Sequence, residues 1–242
     1  MLIFWRLLFG HLLADFTFQT DFINRWKRSS LWGMLAHCAS HPIAYAALTW
    51  PYLGETWIRI PFISVHLNGW ACVLLVFAAH FVEDQWRVFT IFKYGTPDNT
   101  LYFLWDQIIH YAVIFAVIPV GISNSPQTRL MPELWPVLGC LFVLVTHATT
   151  VFVYFVEKDV HDRLFPGAGE KYLSMAERLV LALCFLIPGH AWPLLALVWL
   201  SMMHYVRARR YLDLSWFSFY LGGAVTVLCG VAARLIYYSY VS

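Results

Sequence analysis

Residues 101–121 read LYFLWDQIIHYAVIFAVIPVG. Only Asp106, Gln107 and His110 interrupt a run that is otherwise apolar or aromatic. A bilayer core asks for about 20 such residues per helix, so this stretch predicts a membrane span with a carboxylate and an imidazole one turn apart. Comparable runs lie near residues 2–23, 31–50, 62–84, 135–156, 173–189, 191–206 and 215–237. The expected fold is all-α: a polytopic integral membrane bundle of about eight transmembrane helices. A membrane β-barrel would need short alternating segments, and these runs are continuous.

Composition agrees. Of 242 residues, 60% are hydrophobic and 12% charged, against about a quarter charged in soluble domains. That excludes an ordinary soluble domain and a disordered chain. No basic cluster is interleaved with aromatics, so no nucleic-acid partner is expected. Cys38, Cys72, Cys140, Cys184 and Cys229 are scattered singly and read as small buried hydrophobes. The basic residues follow the first apolar run, which itself holds His11 and Asp15. A cleavable signal peptide is therefore not expected. The loop-like stretch from Asn124-Ser125-Pro126 to Pro132 separates a four-helix membrane domain, 1–122, from C-terminal helices, 135–242, whose sequence implies no role. Pro188-Gly189 splits the sixth and seventh runs, which either span or re-enter.

Loop charges set the orientation. Arg25, Lys27, Arg28, Arg87, Lys93, Lys158, Arg163, Lys171, Arg207, Arg209 and Arg210 fall on one side; the other holds only Arg6, Arg59, Arg129 and Arg234. The basic side is predicted to be cytoplasmic, with both termini outside and the chain in a bacterial inner membrane.

Ionisable side chains within a span are costly and mark function by default. Here they form pairs four residues apart: His11 and Asp15, His37 and His41, His80 and Asp84, Asp106 and His110. Each pair shares one helix face. From the cytoplasmic ends, Asp15 and His37 lie roughly 10 Å deep, His80 and Asp106 roughly 6–8 Å, and His11, His41 and His110 roughly 13–18 Å. The first two pairs recur 69 residues later, with Asp106 in the place of His37. That offset predicts a tandem repeat of two helical hairpins about an axis along the membrane normal.

Five histidines and three aspartates without cysteine suit Zn, Mn or Fe. They suffice for two ions, or for one ion and its supporting partners. Gln19 continues the His11–Asp15 face and Gln107 adjoins Asp106, so both are candidates to orient a ligand. Glu83 points about 100° from Asp84 and reads as an interfacial residue. Taken alone, His11, His41 or His147 is an interhelical hydrogen-bonder; the set of four pairs points to metal, ahead of a proton relay, a structural network or axial haem ligation. His147, His190 and His204 lack a partner one turn away. Glu177-Arg178 reads as an interfacial anchor, and Glu157–Lys171 as a solvated loop of mixed charge.

The string H-L-L-A-D-F-T-F-Q-T-D over residues 11–21, with Lys27, His37, the His80–Asp84 pair and D-Q-I-I-H over 106–110, resembles a bacterial membrane family. It is the family catalogued as domain of unknown function 3307. The resemblance covers roughly the first half of the chain; Glu177-Arg178-Leu179 looks like a recurrent feature of its longer members. It implies an architecture and site positions, and no activity.

The functional expectation is a metal-dependent membrane hydrolase of a lipid or lipid-linked phosphoester, working from the cytoplasmic half. All eight paired residues would be ligands or their supports, with Asp15 or Asp84 as general base. The alternatives are a diiron membrane oxidase or hydroxylase, and a non-catalytic subunit or transporter using the cluster as a polar network or proton path.

Overall fold

The computed structural model describes residues 2–60, 65–119, 133–209 and 215–238, excluding the side chain of Tyr237. Helix α1 (Leu2–Leu12) runs on through a π-helical turn, Leu13–Thr17, and α2 (Asp21–Ser29), α3 (Leu31–Thr49), α4 (Gly69–Tyr94) and α5 (Thr100–Val117) follow. Between α3 and α4 stands a two-stranded antiparallel hairpin, β1 (Thr56–Ile60) with β2 (Val65–Asn68), in register Arg59↔His66 and irregular at Trp57. Then come α6 (Leu134–Val143), a second π turn (Leu144–Ala148), α7 (Thr149–His161), α8 (Ala168–Leu186), α9 (Trp192–Ala208) and α10 (Trp216–Tyr238). The chain divides into two compact units, 1–136 and 137–242. By length and composition, Thr100–Val117, Leu134–His161 and Trp216–Ile236 are able to cross a membrane.

Three sequence expectations need correction. The first run does not continue to residue 23: the helix ends at Thr17, and Asp21 opens a separate short helix capped by Thr20, whose side chain accepts from the Ile23 amide. The third run mixes two structures. Val65–Asn68 is a strand, and Asn68 then caps α4 by accepting from the Ala71 amide. Apolar alternation in a four-residue strand merges with the helix behind it, so the sequence shows one run. Helix α4 also extends ten residues past the expected end, to Tyr94, and is closed by Gly95, which adopts the left-handed conformation (φ 65°) that ends a helix most easily. The loop-like 124–132 lies outside the described residues.

In the first unit α1, α3, α4 and α5 surround a common interior, each packing on its two neighbours around the ring. That interior is layered along the bundle. Near the hairpin it is apolar, with Ile3, Leu7, Tyr45, Trp57, Val73, Val76 and Ile114 in one cluster. Towards α2 it is polar. Arg6 ties α1 down at the apolar end by two bonds to Glu133, of 2.8 and 2.9 Å, and one of 2.7 Å to the Leu48 carbonyl.

The α2–α3 elbow depends on Gly33. A Cβ there would lie 2.3 Å from the Trp26 carbonyl carbon and oxygen, both of them backbone. Ser30 caps α3 by accepting from the Gly33 amide at 3.1 Å, which leaves the elbow little room to open. Gly33→Ala should lower the thermal midpoint of the detergent-solubilised protein, at an overpacking cost of about 1–3 kcal/mol; an unchanged midpoint would mean that the elbow yields.

Candidate metal centre

All four polar pairs meet in the interior of the first unit. His11 and Asp15 come from α1 and its π turn, His37 and His41 from α3, His80 and Asp84 from α4, Asp106 and His110 from α5. The eight side chains are buried, none more than 9% exposed. The π turn inserts an extra residue around Asp15, and such turns concentrate at functional sites.

The imidazoles all turn Nε2 towards carboxylates. Asp15 Oδ1 lies 3.1 Å from His41, 3.3 Å from His37 and 3.6 Å from His80, and Asp15 Oδ2 lies 3.3 Å from His11. Asp84 Oδ2 lies 3.2 Å from His37 and 3.7 Å from His80, while its Oδ1 lies 3.6 Å from His110. Rings stack along the row: His41 and His80 centroids are 3.8 Å apart, His80 and His110 4.1 Å.

Two features distinguish this from an ordinary hydrogen-bonded network. First, Nε2 of His37, His80 and His110 lacks a correctly aligned hydrogen-bond partner, although carboxylate oxygens are close. His110 Nε2 is even 2.6 Å from Glu83 Oε2 without alignment. Groups that share a metal ion aim lone pairs at a common centre rather than at one another. With metal–ligand bonds of about 2.1 Å, ligand–ligand edges span about 3.0–3.4 Å, the range in which several of these pairs fall. Second, three overlapping sets have ligand atoms within 4.8 Å of one another: His11–Asp15–His41–His80, His37–His80–Asp84 and Glu83–Asp84–Asp106–His110.

Gln107 supports the cluster. Its amide donates to Asp15 Oδ2 (3.3 Å) and Asp106 Oδ2 (3.1 Å), while its carbonyl oxygen lies 3.3 Å from His11 Nε2. Gln19 falls beyond the helix end and makes no hydrogen bond to the cluster among the described residues. The break at Thr17 ends the periodicity that would have carried the His11–Asp15 face onward.

Four participants were not expected. Glu83 points away from Asp84, but measured from His80 it sits three residues on and within the same arc of α4; it joins the cluster, with its Oε2 2.6 Å from His110 Nε2. Lys27 Nζ, from α2, lies 3.2 Å from Asp84 Oδ2. Arg87 Nη1 lies 2.9 Å from Asp106 and its Nη2 3.0 Å from Asp98, which also meets Arg28 at 2.9 Å. In the sequence Arg87 reads as an orientation charge, and Lys27 as an orientation charge and as one of the residues that carry the family resemblance; the i, i+3 and i, i+7 spacing of Glu83 and Arg87 from His80 is the signal that points to those two. His147, by contrast, lies 3.1 Å from the adjacent Thr146 hydroxyl, and His204 sits beside Tyr220 and Trp216.

The sequence profile of the family described as "Protein of unknown function (DUF3307)" matches residues 3–135, more than half of the chain. The chain belongs to that family. No curated protein and no solved structure matches it.

Asp98, in the connector between α4 and α5, gives the cluster's outer tie a measurable pH dependence. Burial pushes its carboxyl up, but Arg28 and Arg87 outweigh this and hold it below the ordinary 3.8. A depressed value means that the tie stabilises fully above that range and is lost as pH falls through the folded-state value. Asp98→Asn should lose about 1–3 kcal/mol at neutral pH, and the gap in thermal midpoint from wild type should close as pH drops below 3.8. A pH-independent gap would contradict the ion-pair account.

Proposed function

We propose that the protein is a metal-dependent hydrolase of the bacterial inner membrane, acting on a lipid or lipid-linked phosphoester from the cytoplasmic half of the bilayer. One observation carries this reading: five imidazoles and four carboxylates converge in a buried site with three sets of ligand atoms within 4.8 Å. Two neighbouring ion positions account for the sets, one held by His11, Asp15, His41 and His80, the other by Asp84, Asp106 and His110, with Glu83 beside the second and His37 between them.

The membrane topology is part of the proposal. The spans are α1, α3, α4, α5, the continuous α6–α7, α8, α9 and α10, which makes eight, with α2 lying at the interface. The lysine and arginine bias puts α2 and the centre on the cytoplasmic side, with both termini outside. The α1–α3 and α4–α5 hairpins, with their ligand pairs 69 residues apart, form the two halves of a tandem repeat.

A divalent ion bound by these imidazoles and carboxylates would supply Lewis-acid chemistry, activating water and stabilising charge on a leaving oxygen. The protein groups supply the rest. Glu83, at 17% the most exposed of the four carboxylates, takes the proton of the attacking water; Asp15 and Asp84 are too fully engaged by imidazoles for that task. Lys27 and Arg87 bring positive charge to the edge of the cluster, where an anionic ester docks. Water adds to phosphorus, the ester oxygen leaves, and it carries away the proton from Glu83. Iron suits the same donors, so a diiron oxidase is the second reading.

Elemental analysis of protein purified without chelators, with release of phosphate or headgroup from a panel of phospholipids and polyprenyl phosphates, tests the proposal. Wild type should hold stoichiometric Zn or Mn and turn over. A folded Asp106→Ala/His110→Ala variant should lose metal. Glu83→Gln should keep at least part of it and lose roughly 100-fold or more in rate. Iron with visible absorption and no hydrolysis would establish the oxidase reading, and metal-free folded protein would leave a polar network or proton path.

A further inference from the structure

In the second unit one buried cation makes no ion pair among the described residues. Arg178, on α8, is 5% exposed. Its Nη2 donates to the Thr150 hydroxyl and, at 3.4 Å, to the Thr146 carbonyl, but Nε and Nη1 have no acceptor among the described residues. The adjacent carboxylate is taken: both oxygens of Glu177 accept from Arg207. These contacts make Glu177-Arg178 a buried element rather than an exposed interfacial anchor. A buried guanidinium with two idle donors is costly unless an anion meets it.

The space beside it is a cavity of about 20 Å³. This cavity touches Arg178, Glu177, Ser174, Trp199 and Ser218. It shares Leu200, Phe219 and Gly223 with an open groove of about 710 Å³ between α9 and α10, which Ala224, Val227 and Leu228 also line. Polar and apolar ends are ordered along the membrane normal. The Glu177–Arg207 pair puts Arg178 level with the last turn of α9, which ends at Ala208, and Ser218 and Phe219 belong to the first turn of α10. The orphan donors therefore sit at the basic end of the α9–α10 hairpin. Leu228 lies nine residues beyond Phe219, roughly 14 Å deeper, close to the hydrocarbon depth of one leaflet, about 15 Å.

We infer that this unit binds one anionic phospholipid of the cytoplasmic leaflet, with its phosphate on Arg178 Nε and Nη1 and an acyl chain in the α9–α10 groove. Charge complementarity selects the headgroup and the apolar lining holds the chain. The site rests on the reading of α8–α10 as membrane helices and is independent of the metal centre.

Native mass spectrometry of the full chain, released from mixed micelles with equal phosphatidylglycerol and phosphatidylcholine, tests it. Wild type should retain one phosphatidylglycerol with roughly tenfold or greater preference. Arg178→Gln should abolish the preference. Gly223→Leu should expel the lipid while leaving the fold intact, because a Cβ at Gly223 meets nothing within 4 Å. Equal retention of the two lipids by wild type, unchanged retention in the folded Gly223 variant, or a second copy of the chain cross-linked into the groove would overturn the inference. Carbonate extraction checks the membrane reading separately: protein that resists extraction yet holds no lipid overturns only the lipid site.

Discussion

Uncompensated negative charge in a buried site is the constraint on which the first unit depends. Asp15, Glu83, Asp84 and Asp106 bring four carboxylates together, and among the described residues Lys27 and Arg87 are the Lys and Arg side chains paired with them; the Asp98–Arg28 pair adds no net charge. With neutral imidazoles, two negative charges remain. In a low-dielectric interior such an excess is not left standing. Protons, on imidazoles or carboxylates, or a divalent ion must make up the difference. Five Nε2 atoms facing the carboxylates, three of them unaligned for hydrogen bonds, match lone pairs aimed at an ion better than N–H groups aimed at oxygens. Two dications would instead leave the site two charges positive, the complement of a phosphate ester.

The rest of the unit serves that cluster. The apolar layer around Tyr45 and Ile114 packs one end of the four helices, and Arg6 anchors α1 there. At the other end the α2–α3 elbow, closed at Gly33, delivers Lys27 to Asp84. Asp98 links Arg28 to Arg87 and so couples α2 to α4. In the second unit the same economy appears in different form. Arg234 satisfies the carbonyls of Phe185, Ile187 and Gly189, where α8 ends and no further helical amides are available.

Much of this was legible because helical periodicity is a strong local signal. A four-residue spacing puts His80 and Asp84 on one face whatever surrounds them, and the apolar runs located most of the helices. The strand at Val65–Asn68 is hidden because its two apolar residues, Val65 and Leu67, run into the apolar helix that follows. Lys27 was legible as a charge but not as a partner of Asp84, since the chain reversal at Ser30 that brings it back is a tertiary event. Glu83 escaped for a simpler reason: its angle was taken from Asp84 alone, whereas the face of α4 is centred on His80. The idle donors of Arg178 depend on Arg207 having claimed Glu177 from another helix, and no spacing within α8 encodes that.

The central claim is that these imidazoles and carboxylates hold a divalent ion, and X-ray absorption at the K-edge of the co-purified metal tests it most directly. The account predicts a shell of nitrogen and oxygen at about 2.0–2.2 Å with outer-shell imidazole scattering and no sulfur, and a metal–metal vector of about 3.5–4 Å if both positions are filled. A sulfur shell near 2.3 Å, or an oxygen shell without imidazole scattering, would contradict it.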